Sequence, residues 1–305
     1  MKHIAIVTVN YNSAADTHTF LDSVEKLQTK DFSLEVLVID NGSKDVFALS
    51  NHKRRYPVVV IRSEKNLGFT GGFNLGIKQA LQNGADDVLI INNDTILDQK
   101  LLVELVSVLD SDKHIGVTVP KIYFAKGHEF HKDRYTQNEL GKVFWYAGGY
   151  VDWAHAQSIH RGVDEVDHGQ YDTIEQIDFA TGCCLLIKKE VLQKVGLFDD
   201  RYFLYYEDGD LNERIKRAGY TISYVPKAVL VHINASSSGG AGNSLQDYFI
   251  TRNQMLFGMT YAPLRTKIAL FRQSIRFLLK GRPEQKKGIR DFYLHRFGKG
   301  TIFNN

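Results

Sequence analysis

Cysteine is nearly missing from this chain, and its scarcity removes two architectures. Only Cys183 and Cys184 occur in 305 residues, side by side. Neighbouring cysteines rarely reach disulfide geometry, so no disulfide framework is expected, and no zinc-ligand spacing is present. They read as small buried residues in a reducing compartment. Proline is scarce as well; five prolines beside 25 glycines argue against a long disordered linker. No apolar run approaches the roughly 18–20 residues that span a bilayer. The opening residues 1–7 are too short for a signal peptide and meet Asn10-Tyr11-Asn12 at once, which points to the cytoplasm. A large net charge is also lacking: the whole chain carries +3. That charge is unevenly placed, because from Arg252 onward twelve Lys and Arg stand against only Glu284 and Asp291. Such asymmetry suggests a surface with its own partner. The remaining composition, 43% apolar and 24% charged, is that of an ordinary globular protein of one large or two small domains.

The stretch that organises what is present is Val88-Leu89-Ile90-Ile91 running into Asn92-Asn93-Asp94-Thr95. A short apolar run bounded by polar residues reads as a strand buried on both faces of a parallel sheet. Ligands of open α/β sheets bind beyond the carboxyl ends of the strands. Asp94 is therefore placed to hold a divalent cation through oxygen, or else to cap a helix starting near Leu97. Residues 2–9 and 34–39 are two more strands, ending in Asn10-Tyr11-Asn12 and Asp40-Asn41-Gly42-Ser43. Helices over 15–27, 77–81 and 101–109 and strands over 58–62 and 115–123 complete a mixed, mainly parallel α/β sheet flanked by helices. Asp40 can accept from a base or a ribose hydroxyl, or close an Asx-turn. Asn66-Leu67-Gly68-Phe69-Thr70-Gly71-Gly72-Phe73-Asn74 is expected as a glycine-rich loop able to approach a diphosphate. It matches neither the P-loop nor the Rossmann fingerprint.

Residues 125–174 are an irregular insert. Its His128, His131, His155, His160 and His168 lack regular ligand spacing and read as solvated or locally bonded. An insert beside a binding sheet can still carry substrate contacts. The second chemical cluster is Phe203-Leu204-Tyr205-Tyr206-Glu207-Asp208-Gly209-Asp210, at the start of a helix. Acids favour first helical turns, but three carboxylates exceed what a cap needs. Crowded carboxylates beside aromatics have raised pKa values, which suits one of them to act as a base. His232 closes an apolar strand over 221–233 and is either structural or a metal ligand. Residues 235–243 are flexible by composition and able to close over a ligand. A helix over 248–261 carries Arg252 and Asn253. Residues 264–280 place Leu264, Ile268, Phe271, Ile275, Leu278 and Leu279 on one stripe flanked by Arg265, Lys267, Arg272 and Arg276. That is a basic amphipathic helix for a membrane surface, for packing on the domain, or for a dimer interface.

Taken with Phe179-Ala180-Thr181-Gly182-Cys183, Val231-His232 and residues 248–253, these stretches resemble the family 2 glycosyltransferases of GT-A fold, and within them the bacterial rhamnosyltransferase-like branch. The resemblance implies a GT-A domain over 1–260 and a basic helical extension over 261–305. It implies that Thr8, Asn10, Tyr11, Asp40, Asn74 and Asn93 bind the nucleotide, and that Arg252 and Asn253 reach its diphosphate. Asp94 and His232 would hold Mg²⁺ or Mn²⁺. Asp208 would be the base, with Glu207 beside it. Many members carry Asp-x-Asp where this chain has Asn92-Asn93-Asp94, which leaves Asp94 the main acidic ligand. The implied reaction is inverting transfer from a nucleotide-sugar donor, dTDP-rhamnose first and a UDP-hexose second. The implied acceptor is a glycan or lipid-linked glycan of cell-surface polysaccharide synthesis, met at the inner face of the membrane. A nucleic-acid partner is not expected, since no such module is present. One rival, a sugar nucleotidyltransferase, needs a Gly-rich basic loop after its first strand, where this chain has Asn10-Tyr11-Asn12-Ser13. The other, an inactive glycan-binding or scaffold subunit, needs none of Asp94, Asp208 and His232.

Overall fold

The computed structural model describes residues 1–29, 31–50, 53–233 and 243–303. The 235–243 stretch, apart from Asn243, lies outside them. The first half alternates strand and helix: β1 (Lys2–Asn10), α1 (Ala14–Val24), β2 (Phe32–Asn41), β3 (Val58–Ser63), α2 (Gly68–Gln82) and β4 (Asp87–Ile91). Then come β5 (Thr95–Leu97), α3 (Leu101–Ser111) and β6 (Ile115–Phe124). The insert supplies β7 (Phe144–Tyr146), β8 (Gly149–Asp152) and β9 (Gln157–His160). The chain then returns through β10 (Glu175–Ile177), β11 (Cys184–Lys188), α4 (Lys189–Val195), α5 (Glu207–Arg217) and β12 (Thr221–His232). Three helices follow: α6 (Ser244–Tyr261), α7 (Leu264–Lys280) and α8 (Pro283–Tyr293).

Among the described residues ten strands form one mixed sheet whose path runs β10-β12-β6-β11-β4-β1-β2-β3, with β5 against β12 and β7 against β6. β1 is parallel to both β2 and β4, β2 is parallel to β3, and β6 is parallel to β12. All five residues of β4 are buried, as its uninterrupted apolar run requires of a central strand. Register sets the functional edge. Asn10 lies opposite Asp40, and Val7 opposite Ile90, so the residues after β1, β2 and β4 emerge along one rim.

Two expectations change here. The glycine-rich segment is not a loop, because α2 begins at Gly68. Gly68 has φ +75°, and a Cβ there would meet Phe203, which fixes the entry to the helix. Inside the helix, a Cβ on Gly76 would lie 2.3 Å from Val7 Cγ1, so this glycine lets α2 sit directly on β1. Asp94 is not a helix cap, since the residues after it form β5 and α3 starts only at Leu101. The expected boundary at 260 falls in the last turn of α6, which runs on to Tyr261. The residues beyond it return to the body, with Arg252 donating to the Gly298 carbonyl at 2.8 Å and Gly298 N–H to Arg201 at 2.8 Å.

Candidate active site

β5 is three residues long, and its antiparallel pairing with β12 puts Thr95 opposite His232. Ile233 N–H closes on the Asp94 carbonyl at 2.8 Å. This local pairing brings two side chains together that are far apart in sequence: His232 Nε2 lies 3.2 Å from Asp94 Oδ1. His232 Nδ1 is buried and has no partner among the described residues. The Trp145 ring of β7 stands edge-on to the imidazole, with centroids 4.6 Å apart. No third His, Cys, Asp or Glu among the described residues completes a metal-binding group. The pair nonetheless fits a hard divalent cation, which uses one or two protein ligands and fills its other positions with water and substrate phosphates.

The second centre sits on the N-terminus of α5. Asp208 Oδ2 accepts the Gly182 N–H at 3.1 Å, and Oδ1 accepts the Gly209 N–H at 2.8 Å. Gly182 belongs to the turn entering β11, which is registered on β4 with Cys184 opposite Ile91. The sheet therefore holds Asp208 against the same rim as Asp94. Burial raises the Asp208 pKa, and the backbone N–H groups only partly oppose it. Burial raises Glu207 much further, and the neighbouring Asp208 charge adds to that; its Oε2 has no partner among the described residues. Of the two, the carboxylate held by two N–H donors ionises first. Asp210 is occupied elsewhere, paired to Arg214 Nε at 2.8 Å and to Tyr261 OH at 2.7 Å.

Both centres open on one cavity of about 530 Å³, lined also by Tyr11, Asn93 and Cys183. Residues 2–254 match the family model described as glycosyltransferase like family 2. The chain belongs to this family. An N-acetylglucosaminyl-diphospho-decaprenol L-rhamnosyltransferase of Mycobacterium tuberculosis is 27% identical over 248 residues, 77% of this chain and 78% of the relative. The low-salt glycan biosynthesis hexosyltransferase Agl10 of Haloferax volcanii is 23% identical over 84% of this chain and 75% of its own length. Among solved structures, GalNAc-T7 with UDP, GalNAc and Mn²⁺ superposes with TM-score 0.60 at 16% identity, over 92% of this chain and 56% of that one. The fold of this glycosyltransferase is thus GT-A, with a mixed, mainly parallel sheet.

Of the twelve residues singled out from the sequence, six line the cavity: Tyr11, Asn93, Asp94, Glu207, Asp208 and His232. Asn93 turns its amide onto Ser13 Oγ at 2.7 Å and Thr17 Oγ1 at 2.8 Å. Asn10 and Asp40 sit just behind the rim, bonded to each other at 3.3 Å and both to Ser43. Burial alone would raise the Asp40 carboxyl; bonds from Ser43, the Phe47 N–H and the Arg62 guanidinium outweigh it and hold the pKa below the usual range. Thr8 is fully buried within β1.

Three of the residues carried over from the resemblance are bonded within the protein. Asn74 is an internal strut: its amide bonds the Phe198 carbonyl and Asp200 at 2.8 Å each and accepts the Phe198 N–H. Arg252 is completely buried, and its guanidinium is taken up by carbonyls of Gly298, Arg201 and Tyr202. Asn253 Nδ2 lies 2.8–2.9 Å from the carbonyls of Tyr202, Leu204 and Tyr205. Arg252 and Asn253 grip the loop that leads to Asp208. That loop needs the grip, because Phe203, Tyr205 and Tyr206 all have φ between +65° and +72°. Each such residue costs roughly 1 kcal/mol or more. Asn253→Ala should therefore lower stability by about 2–3 kcal/mol in denaturant unfolding. It should reduce kcat while nucleotide affinity, read by equilibrium titration, stays near wild type; a primary loss of affinity would restore the diphosphate contact.

Sequence reasoning missed Trp145 and His160, both in the cavity wall. Their rings stand 4.5 Å apart, and burial pushes the His160 pKa down to about 4, so it is a neutral imidazole. Irregular spacing concealed His160. Trp145 had one available signal: it is one of two tryptophans in the chain, set between Phe144 and Tyr146 on a short strand.

Proposed function

We propose that this family 2 enzyme is a divalent-metal-dependent, inverting glycosyltransferase acting on a glycan or lipid-linked glycan hydroxyl. The observation that carries the reading is the opposition of two chemistries on one cavity, the Asp94–His232 pair and the Asp208–Glu207 pair. The nucleotide lies over the ends of β1 and β2, with the half-exposed Tyr11 against the base and the Asn10–Asp40 network, backed by Thr8, at its edge. Asp94 and His232 hold Mg²⁺ or Mn²⁺, and Asn93 steadies the strand end beside them. A cation bound there offsets the charge that builds on the leaving diphosphate.

Asp208 is the base. It takes the proton of the acceptor hydroxyl as that oxygen bonds to the anomeric carbon. The bond from that carbon to the diphosphate oxygen breaks on the opposite face, and its electron pair leaves with the nucleoside diphosphate. One displacement inverts the anomeric centre. Glu207, kept protonated, bonds the acceptor or its neighbour without competing for the proton. The rhamnosyltransferase relative supports dTDP-rhamnose as the first donor, and the hexosyltransferase relative keeps a UDP-hexose second. The named acceptor of the first relative, a sugar on a diphospho-polyprenol, supports a lipid-linked glycan. The reaction would then run at the cytoplasmic face of a membrane during cell-surface polysaccharide synthesis.

The test is a panel of nucleotide sugars, each with Mn²⁺, with Mg²⁺ or with EDTA, with membrane lipid extract as the acceptor source. Metal-dependent release of nucleotide from one donor, with sugar moved to the lipid fraction, is the expected result. Nucleotide binding without turnover from any donor would favour the inactive scaffold subunit.

A further inference from the structure

α7 is packed the wrong way out for a core helix. Its buried residues are Thr266, Leu270 and Ser274. Two of these three are polar and bonded inward, Thr266 Oγ1 to the Trp153 carbonyl at 2.6 Å and Ser274 Oγ to Tyr293 OH at 2.7 Å. Leu270 fits over Gly258, where a Cβ would lie 2.2 Å from Leu270 Cδ1. Phe277 and Leu278 are partly buried against the core, but five other large apolar residues face solvent: Leu264 is 73% exposed, Ile268 46%, Phe271 50%, Ile275 44% and Leu279 71%. At 3.6 residues per turn these five fall within roughly 100° of arc, one continuous stripe. Arg265, Arg272 and Arg276 run along one side of it and Lys267 along the other, and the helix contains no acidic residue. α8 adds Lys286, Lys287 and Arg290. Among the described residues no helix is long and apolar enough to cross a membrane.

We propose that the outward stripe of α7 is a docking surface for an anionic lipid bilayer, in which the five apolar side chains enter the acyl boundary and the flanking basic residues meet the headgroups. The charge pattern selects this occupant. A second copy of the chain placed stripe to stripe would set basic flank against basic flank with no acid between them. A nucleic acid would use the cations and leave the apolar stripe in water. A bilayer with anionic lipid satisfies both features at once. The inference holds whichever sugar is moved, since it rests on α7 and not on the cavity.

The experiment is co-sedimentation of the full chain with vesicles of phosphatidylcholine alone or mixed with phosphatidylglycerol, at low and high salt. Binding to the anionic vesicles that weakens steeply with salt is expected. Phe271→Glu with Ile275→Glu should abolish it, as should Leu264→Glu alone at the exposed first turn; the thermal melt of Leu264→Glu should be unchanged, because that side chain is 73% exposed. Arg272→Gln and Arg276→Gln should each weaken binding about fivefold. No binding to anionic vesicles at low salt overturns the proposal. So does a dimer in sedimentation equilibrium that Leu264→Glu splits while vesicle binding persists.

Discussion

Asp208→Asn should lower the transfer rate at saturating donor by about 10²–10⁴-fold, the range that a positioned general base contributes. Nucleotide affinity should stay within about twofold, because the base acts on the acceptor and not on the donor. The pH dependence sharpens this. A base works deprotonated, and burial raises the Asp208 pKa, so wild-type activity should rise with pH through a limb above the ordinary carboxylate range. That limb should vanish from the residual activity of the variant. Stability should follow the opposite slope. A carboxyl whose folded pKa lies above its unfolded value stabilises the fold below the unfolded pKa, and that contribution disappears as pH rises through the folded pKa. Over the window in which Asp208 loses its proton, the enzyme should gain activity and lose melting temperature. Asp208→Asn removes the buried charge and should flatten both profiles; Glu207→Gln, at a side chain already protonated, should leave the activity limb in place. Activity unaffected by Asp208→Asn would keep the family and remove this residue as the base.

The strands and the rim they form were legible because burial on both faces leaves a plain signature. β4 is five consecutive buried positions followed by amides and an acid, and the residues following β1 and β2 repeat the scheme. The two chemical clusters followed from the same logic of strand end and helix start. What stayed hidden depends on packing at long range. Glycines 68, 71 and 72 look like a loop in one dimension, yet Gly72 and Gly76 are present because β1 and β2 lie against them. β5 is too short for any periodicity and exists through its pairing with β12, although it places Asp94 beside His232. Arg252 and Asn253 show the opposite case. A cation and an amide on a helix near a nucleotide site suggest a phosphate contact, and only the fold reveals that backbone carbonyls with left-handed neighbours absorb them. Phe303 was also invisible, because it reaches the cavity wall from a distant part of the sequence, meeting Phe203 edge-on and Phe249 at a tilt.

Asp94→Asn should remove most of the metal response. The substitution keeps size and shape but deletes the single carboxylate among the two proposed ligands. Charge stabilisation at a leaving diphosphate is worth several kcal/mol, so turnover should fall by about 10³-fold. His232→Ala should fall less, since a neutral imidazole contributes a lone pair and no countercharge. Activity alone would not separate a metal site from a merely structural pair, because the 3.2 Å contact between Asp94 and His232 also holds β5 to β12. Thermal denaturation separates them. A cation that binds the native chain raises its melting temperature in proportion to occupancy, and a nucleoside diphosphate added with it should raise it further. Wild type should therefore melt higher with Mn²⁺ and nucleoside diphosphate than with EDTA, and both variants should lose that increment. If Asp94→Asn and His232→Ala instead melt lower by the same amount with and without Mn²⁺, the pair is a strut, and the electrostatic help for the leaving group must come from elsewhere on the rim.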